Sequence, residues 1–191
     1  MKISLAFCCL AALLPPGHAA ASEPTDPAAA QAAIAAIAAF AGALKAELTS
    51  AMQTGGPLNA IEVCHSRAPA IAEAVSLDRG MQLSRVSLRN RNPENEPNEW
   101  QAAVLQEFEA RLASGESADA LAWQEVAETD GRRQFRLMKA IPTAPLCLAC
   151  HGETIAPPVA EKIAELYPAD KATGFREGDI RGAFVVTKTL D

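Results

Sequence analysis

The amino-acid sequence predicts an α+β fold, in which helices pack on one side of an antiparallel sheet. Apolar residues recur every three or four positions in several segments, which is the period of a buried helix face. Other segments have strand character, and Asp130-Gly131, a dipeptide favoured in hairpin turns, joins two of them. Helices and strands do not alternate regularly, so a parallel sheet is not expected. The 191 residues suffice for one domain of ordinary size.

Two helices are predicted near the N-terminus. The first begins in the Ala-rich segment at Ala28 and ends at residues 55–57, Gly-Gly-Pro. The second covers residues 58–75 and contains Pro69. Proline lacks an N–H and clashes with the carbonyl four residues earlier, so this helix should kink or restart just after Cys64.

The rest of the chain supplies the strands and two more helices. Asn98 is the expected N-cap of a third helix, which stops near Gly115. A fourth helix follows Pro157-Pro158. The predicted strands are residues 81–88, 121–128, 133–141 and 180–190.

Residues 1–21 have the organisation of a secretory signal peptide. Lys2 precedes an apolar run over residues 3–14, which Pro-Pro-Gly and a small-residue cleavage site follow. A membrane anchor is the alternative, but the run is shorter than the roughly 20 apolar residues that span a bilayer. No other segment is expected to span one. We therefore expect residues 22–191 to be a single periplasmic domain.

Charge and composition exclude several classes of protein. The formal net charge of -6 argues against nucleic-acid binding and against docking on anionic lipid. Charged residues make up 21% of the chain, which excludes a membrane bundle. Aromatic residues make up only 5%, so the core should be thin in large side chains and a bound group is expected to help fill it.

Cysteine usage is the most informative feature of the sequence. Cleavage of the signal peptide removes Cys8 and Cys9 and leaves Cys64, Cys147 and Cys150. Three is an odd number, whereas a simple disulfide framework needs an even one. The three thiols therefore require another chemical explanation.

Residues 147–151 read C-x-x-C-H, which is the attachment signature of c-type haem. Cys147 and Cys150 would form thioethers with one porphyrin, and His151 would bind its iron as proximal ligand. A thioredoxin-like pair is an alternative, but it belongs in an alternating α/β chain. Zinc is another, and it would need two further ligands. The sequence predicts one covalent haem c.

The second axial ligand of that iron has several candidates. Cys64 lies on the apolar side of its helix, one turn before the Pro69 break, although free cysteines are often inert core residues. Met52, Met81 and Met138 could serve instead, as methionine does in many cytochromes c. His65 is adjacent to Cys64 but points about 100 degrees away on an ideal helix.

Arginines in the polar segment after the first predicted strand are candidates for haem propionates. Arg85, Arg89 and Arg91 recur at spacings that could turn one or two guanidinium groups toward a carboxylate, which Arg binds bidentately. A solvated loop is the alternative. Arg136 and Arg181 are further candidates.

Several motifs spread over nearly all of the expected mature chain: Val63-Cys64, Ala68-Pro69, residues 85–95, Trp100, residues 147–152 and segments within residues 167–184. This set resembles the domain of unknown function 3365 family. The resemblance implies a c-haem domain on a PAS-like scaffold. It also implies iron ligation by the motif histidine and an N-terminal cysteine, as in a cyanobacterial single-haem cytochrome, which maps onto His151 and Cys64. Members carry an acidic residue where this chain has Gln101.

These observations favour a mono-haem c-type cytochrome that carries electrons or reports redox state to a partner that the sequence does not identify. A second hypothesis is a haem-based sensor in which a small gaseous ligand displaces Cys64 and a separate protein carries the output. A haem enzyme is disfavoured, because the expected mature chain has only His65 and His151 for acid-base chemistry. We therefore expect no enzymatic activity.

Overall fold

The computed structural model describes residues 26–190, which form a four-stranded antiparallel sheet with helices on both faces. The strands are β1 (Gln82–Val86), β2 (Ala122–Thr129), β3 (Arg132–Pro142) and β4 (Ile180–Thr189), in the order β1-β4-β3-β2. All three pairings are antiparallel. The α+β prediction is confirmed, and each predicted strand is present within a few residues of its expected bounds. The expectation of helices on one side was wrong, because the strands present apolar side chains on both faces and helices cover each.

Strand alternation divides the core into two layers. Successive side chains of a strand point to opposite faces of a sheet. Phe135 and Leu137 therefore pack in one cluster with the N-terminal helix, whereas Met138 and Ala140 pack in the other with the third helix. The expected signal peptide, residues 1–21, lies outside the described residues.

The first long helix, α1 (Pro27–Glu62), begins as its sequence predicts and is broken where its sequence predicts. Asp26 caps it by accepting a hydrogen bond from the Ala29 amide at 2.9 Å. Gly56 has φ 67 and ψ -160, which only glycine adopts at little cost, and the helix resumes at once with Pro57. Residues 55–57 are therefore a kink between two helical arms and not the end predicted for the helix.

The expected break before Pro69 takes the form of a π-helical turn. Val63–Arg67 is π-helical, and α2 (Ala68–Arg79) restarts directly after it. A wider turn removes the clash that the proline ring would make with the preceding turn. Helix α2 ends at Arg79, four residues later than predicted, and Gly80, with φ 60, caps it.

The remaining elements follow their local sequence signals. Helix α3 (Glu99–Ala113) begins with a capping box between Asn98 and Gln101, in which each side chain accepts a hydrogen bond from the backbone of the other. This explains Gln101, because glutamine and glutamate serve equally at that position of a capping box. Asp130 and Gly131 both have positive φ, as a type I′ hairpin requires. The haem-signature segment contains the short α4 (Leu148–His151), and α5 (Pro157–Leu166) follows.

The helical stretch Pro27–Arg79 is long and apolar enough to cross a membrane, with a mean hydropathy of 1.7 in its best window. Its first arm instead packs against the sheet: Ala33, Ala36 and Phe40 are fully buried there. Alanine raises the hydropathy of such a window while allowing a helix to lie close to a neighbouring layer. Only 28% of that window is buried, so the stretch gives one face to the core. By length and composition alone, the expectation that no other segment could span a membrane is therefore wrong.

Candidate functional site

One cavity collects most of the residues that the sequence singles out. Its walls come from α1 and the π-helical turn on one side, and from β1, the haem-signature segment and the start of β4 on the other. The centres of water-sized molecules can occupy about 190 Å³ of it, whereas one water needs about 10–15 Å³ on this measure. The cavity is therefore far larger than a packing defect. The predicted site residues that line it are Cys64, Arg85, Arg91, Cys147, Cys150 and His151, together with Arg181.

The local fold of the C-x-x-C-H segment turns all three of its functional side chains into this cavity. A 3-10 turn (Pro145–Cys147) runs directly into α4, so Cys147 lies about one turn before the neighbouring residues Cys150 and His151. The two thiols and Cys64 are free. Gly152 ends the segment, and a Cβ there would lie 2.6 Å from the Leu148 carbonyl oxygen, so no larger residue fits.

His151 is oriented by its backbone contacts. Its Nδ1 lies 2.7 Å from the carbonyl oxygen of Ala172, which can only accept, so Nδ1 carries the proton. Nε2 is left as the free lone pair that a metal requires. Burial, together with the nearby Arg181 and Arg91, lowers the pKa of His151 to about 2, against the effect of the Ala172 hydrogen bond. The imidazole is therefore neutral at physiological pH.

Cys64 projects into the cavity from the π-helical turn. Burial raises the pKa of its thiol, whereas the guanidinium groups of Arg85, Arg91 and Arg181 act in the opposite direction. His65 does not line the cavity, because its ring packs edge-on against Tyr167 with 5.3 Å between centroids. The two neighbouring residues therefore point to different surroundings, as the helical geometry predicts.

The methionine candidates separate in the same way. Met52 lines the cavity from α1. Met81 and Met138 are buried in the two core layers and do not line it. Met52 is thus the methionine that the fold brings to the site.

Of the three arginines that line the cavity, Arg85 and Arg181 lack a carboxylate partner within the described chain. Arg181 Nη1 does donate to Ser87 Oγ and to the Arg89 carbonyl oxygen, both at 3.3 Å. Arg91 forms a buried ion pair with Asp170, at 3.1 Å. Arg85 and Arg181, by contrast, have no carboxylate within ion-pair distance among residues 26–190. Burial lowers the pKa of Arg85, and it lowers that of Arg181 to about 10, so both stay charged at neutral pH. The buried Nε of Arg181 has no hydrogen-bond partner in this part of the chain.

The fold directs the other two arginine candidates elsewhere. The guanidinium of Arg89 lies 4.0 Å from the centroid of the Phe175 ring, outside the cavity. Arg136 pairs with Glu125 at 3.0 Å and stacks on Trp100. The structure therefore does not bring the side chains of Arg89 or Arg136 into the cavity that the haem-signature residues line.

Sequence reasoning missed several residues that line the cavity and one, Asp170, that supports a lining residue. Tyr167 lines the cavity, and burial, reinforced by Cys64, raises the pKa of its phenol to about 12. Asp170 fixes Arg91 from behind. Both lie in the motif at residues 167–170 that carries the family resemblance, but nothing in a linear motif shows which side chains face a cavity. Leu44 and Leu48, which lie on the first predicted helix, form an apolar wall of the cavity that the helix prediction did not indicate.

Comparison with protein families decides the relationship that these motifs suggest. A family model described as Tll0287-like matches residues 21–188. The chain belongs to the Tll0287-like family. This match confirms the predicted relationship at the level of the Tll0287-like family. Membership of the domain of unknown function 3365 family and the PAS-like scaffold stay predictions.

A solved structure of a cyanobacterial heme-protein, Tll0287, supports the same fold for this Tll0287-like chain. The TM-score is 0.63, and the match covers 87% of this chain and 98% of that one at 24% sequence identity. A search of curated proteins gives no match.

Proposed function

We propose that this Tll0287-like protein is a periplasmic mono-haem c-type cytochrome-like protein that transfers electrons or reports redox state. The single observation that carries the proposal is the meeting of Cys147, Cys150 and His151 in one large cavity, with the His151 Nε2 free. Export rests on the signal-peptide pattern of residues 1–21, and it would bring the chain to the compartment where bacterial c-type haem is assembled.

The donor set of the cavity fits a haem. Two free thiols on adjacent turns suit two vinyl groups, each thiol adding its sulfur to one vinyl carbon and its hydrogen to the other, so that no oxidant is needed. A neutral imidazole with Nδ1 already bonded is the form in which histidine binds iron. The Leu44, Leu48 and Ile61 side chains offer an apolar wall to a macrocycle. When bound, haem supplies a one-electron Fe(III)/Fe(II) couple.

Arg85 and Arg181 support the same assignment by their charge. Arg85 and Arg181 are half-buried, and cations that are partly withdrawn from water without counter-ions are costly unless an anion completes the site. A haem carries two propionates, and a guanidinium binds a carboxylate bidentately. The unpartnered Nε of Arg181 is a donor of the kind that a propionate would satisfy. Arg91 is already bound to Asp170 and is not needed for this role.

Cys64 is the proposed second axial ligand. It lines the same cavity from the facing helical segment, and three guanidinium groups near it would compensate the negative charge of a bound thiolate. Met52 is the competing ligand that the structure leaves in reach of the cavity. A thiolate donates charge to Fe(III), so Cys64 ligation would lower the reduction potential relative to methionine.

A second candidate function is a haem-based sensor, and the π-helical turn at Cys64 favours it. Single π-helical turns interrupt the regular hydrogen-bond ladder of a helix and are frequent at functional sites. The turn therefore marks the Cys64 position as a functional one, as a displaceable ligand would require. Titration of the ferrous protein with carbon monoxide separates the two functions: ready displacement supports sensing, and an unchanged spectrum supports electron transfer.

Zinc remains the competing chemistry for the cysteine pair. Between Asp26 and Leu190 the structure holds no group of three or more His, Cys, Asp or Glu side chains placed to bind a metal ion. Cys64 and His151 line the same cavity as the pair, but in this part of the chain they are not grouped with it closely enough to hold a metal ion.

The test is covalent haem on the purified chain, produced with the c-haem maturation machinery. We expect one haem per chain that survives a denaturing gel and is stained there. The Cys147→Ala/Cys150→Ala double variant should lose it, and Cys64→Ala should keep it as the matched control. Stoichiometric zinc, or a Cys147–Cys150 disulfide without haem stain, would overturn the proposal.

A further inference from the structure

Behind the His151 side of the cavity, one guanidinium group holds three acceptors at once. Arg91 donates from Nε and Nη2 to the two carboxylate oxygens of Asp170, both at 3.1 Å. The same Nη2 donates to the Cys150 carbonyl oxygen at 2.6 Å and to the Ala172 carbonyl oxygen at 3.1 Å. Asp170 Oδ1 in turn accepts from the Ala172 amide at 2.8 Å. Arg91 thereby ties the haem-signature segment to residues 170–172.

Both ends of this connection meet His151. The Cys150 carbonyl belongs to the residue directly before His151, so it fixes the backbone from which the imidazole projects. The Ala172 carbonyl is the acceptor of the His151 Nδ1 proton. Ala172 O therefore accepts from Arg91 and His151 together. Its position is set by Arg91 and Asp170, and not by His151 alone.

Burial separates this ion pair from the others in the chain. The side chains of Arg91 and Asp170 are 9% and 10% exposed, whereas those of Arg176 and Glu153, close by in the fold, are 74% and 56% exposed. A buried ion pair often stabilises a fold no better than apolar residues of the same volume, because desolvation offsets its Coulomb energy. The Arg91–Asp170 pair is better explained by the geometry that it imposes.

We propose that Arg91 and Asp170 are positioning residues that set the orientation and the hydrogen bond of the His151 imidazole. The inference rests on the proposed function, in which His151 binds the haem iron. Hydrogen bonds to the distant nitrogen of a ligating histidine fix its ring and tune its basicity. Because Arg91 also draws on the Ala172 carbonyl, that oxygen is a weaker acceptor for the Nδ1 proton. The pair thus keeps His151 a neutral ligand of moderate donor strength.

Charge-conserving variants of the holoprotein separate geometry from charge. Arg91→Lys keeps the positive charge but offers one ammonium group, which cannot reach Asp170, Cys150 O and Ala172 O together. Asp170→Glu keeps the negative charge and moves the carboxylate by one methylene. Arg176→Lys is the matched control in the exposed pair. Two quantities are measured: the exchange rate of the His151 Nδ1 proton by NMR of histidine-labelled protein, and the reduction potential.

We expect Arg91→Lys and Asp170→Glu to keep covalent haem, to exchange the Nδ1 proton faster than the parent and to shift the potential. Arg176→Lys should match the parent in both quantities. The proposal is overturned if both buried-pair variants carry haem and match the parent. It is also overturned if both fail to fold with haem, because the pair would then hold the domain and not His151 in particular. A parent chain without covalent haem would instead sink the proposed function, so the two failures are distinct.

Discussion

The two walls of the cavity are built on different physical principles. On the His151 side, hydrogen bonds from Arg91 and to Ala172 O fix the functional group in position. On the Cys64 side, the wall is an apolar helix surface with one thiol on a π-helical turn. A directional network fixes a side chain at one angle, whereas packing alone tolerates small displacements. The comparison suggests a permanent iron ligand on the first wall and an exchangeable one on the second.

The largest expected effect comes from leaving the space between the walls empty. The chain is poor in aromatic residues, and a group that binds only the native state adds its binding free energy to stability. The Cys147→Ala/Cys150→Ala variant, produced without haem, should therefore lose cooperative unfolding and behave as a molten state. Thermal unfolding followed by circular dichroism tests this. A cooperative transition within a few degrees of the haem-bound protein would show that the walls hold each other without the cofactor.

A smaller effect, on the reduction potential, is expected from the charges of Arg85 and Arg181, which line the cavity on the His151 side. Arg85→Gln and Arg181→Gln each remove one half-buried positive charge. A nearby positive charge favours Fe(II) over Fe(III), so the reduction potential should fall in each variant. For charges about 10 Å apart at an effective dielectric constant of about 20, the interaction is on the order of 1–2 kcal/mol. Arg136→Gln serves as the control, because the Arg136 guanidinium stacks on Trp100 and does not line the cavity. It should leave the potential unchanged. Equal shifts of the reduction potential in all three variants would show that the cavity arginines act on the iron no more strongly than a distant arginine does.

The smallest effect concerns Tyr167, where the two walls meet. It is the single tyrosine of the chain, so its titration is unambiguous. Burial raises the pKa of its phenol to about 12 in the fold, against about 10 in an unfolded chain. The folded state thus holds this proton more tightly. The resulting stability is present below about pH 10 and is lost as the pH rises toward 12.

Ultraviolet absorbance of tyrosinate follows this titration directly. The midpoint should lie near pH 12 in the folded protein, and Tyr167→Phe should show no such change. A midpoint near pH 10 with the fold intact would mean that the cavity is open to water at Tyr167, and that the two walls are not in contact there.

Local sequence signals predicted most of the fold because each depends on neighbouring residues. Asn98, Asp130-Gly131 and the glycines before Pro57 act through caps, turns and backbone freedom, and each lies at the boundary that it predicted. Only the consequence of Gly56 was wrong, since a single positive φ bends a helix without ending it when a proline restarts the next turn. The length of α2 was underestimated for a related reason, because its end is set by Gly80 and not by residue 75, where the prediction placed it.

The site was predictable in its donors but not in its supporting residues. The spacing of Cys147, Cys150 and His151 is a local pattern, so the sequence alone indicates their joint role. The contact of Arg91 with Asp170 joins residues 79 positions apart, and no local period reports it. The choice among Arg85, Arg89 and Arg91 likewise depends on which way each side chain points. Phe175 binds Arg89, and that pairing exists only in the folded chain.

The most direct test of the account is the ferric spectrum of the Cys64→Ala variant, because Cys64 is the side chain that we propose to bind the iron from the helical wall. We expect the parent to be low-spin with a thiolate charge-transfer band. Cys64→Ala should lose that band, become high-spin or take Met52 as ligand, and gain a higher reduction potential, with its covalent haem intact. His65→Ala, one residue away but outside the cavity, should match the parent. An unchanged spectrum and potential in Cys64→Ala would contradict the account and reduce Cys64 to a packed thiol.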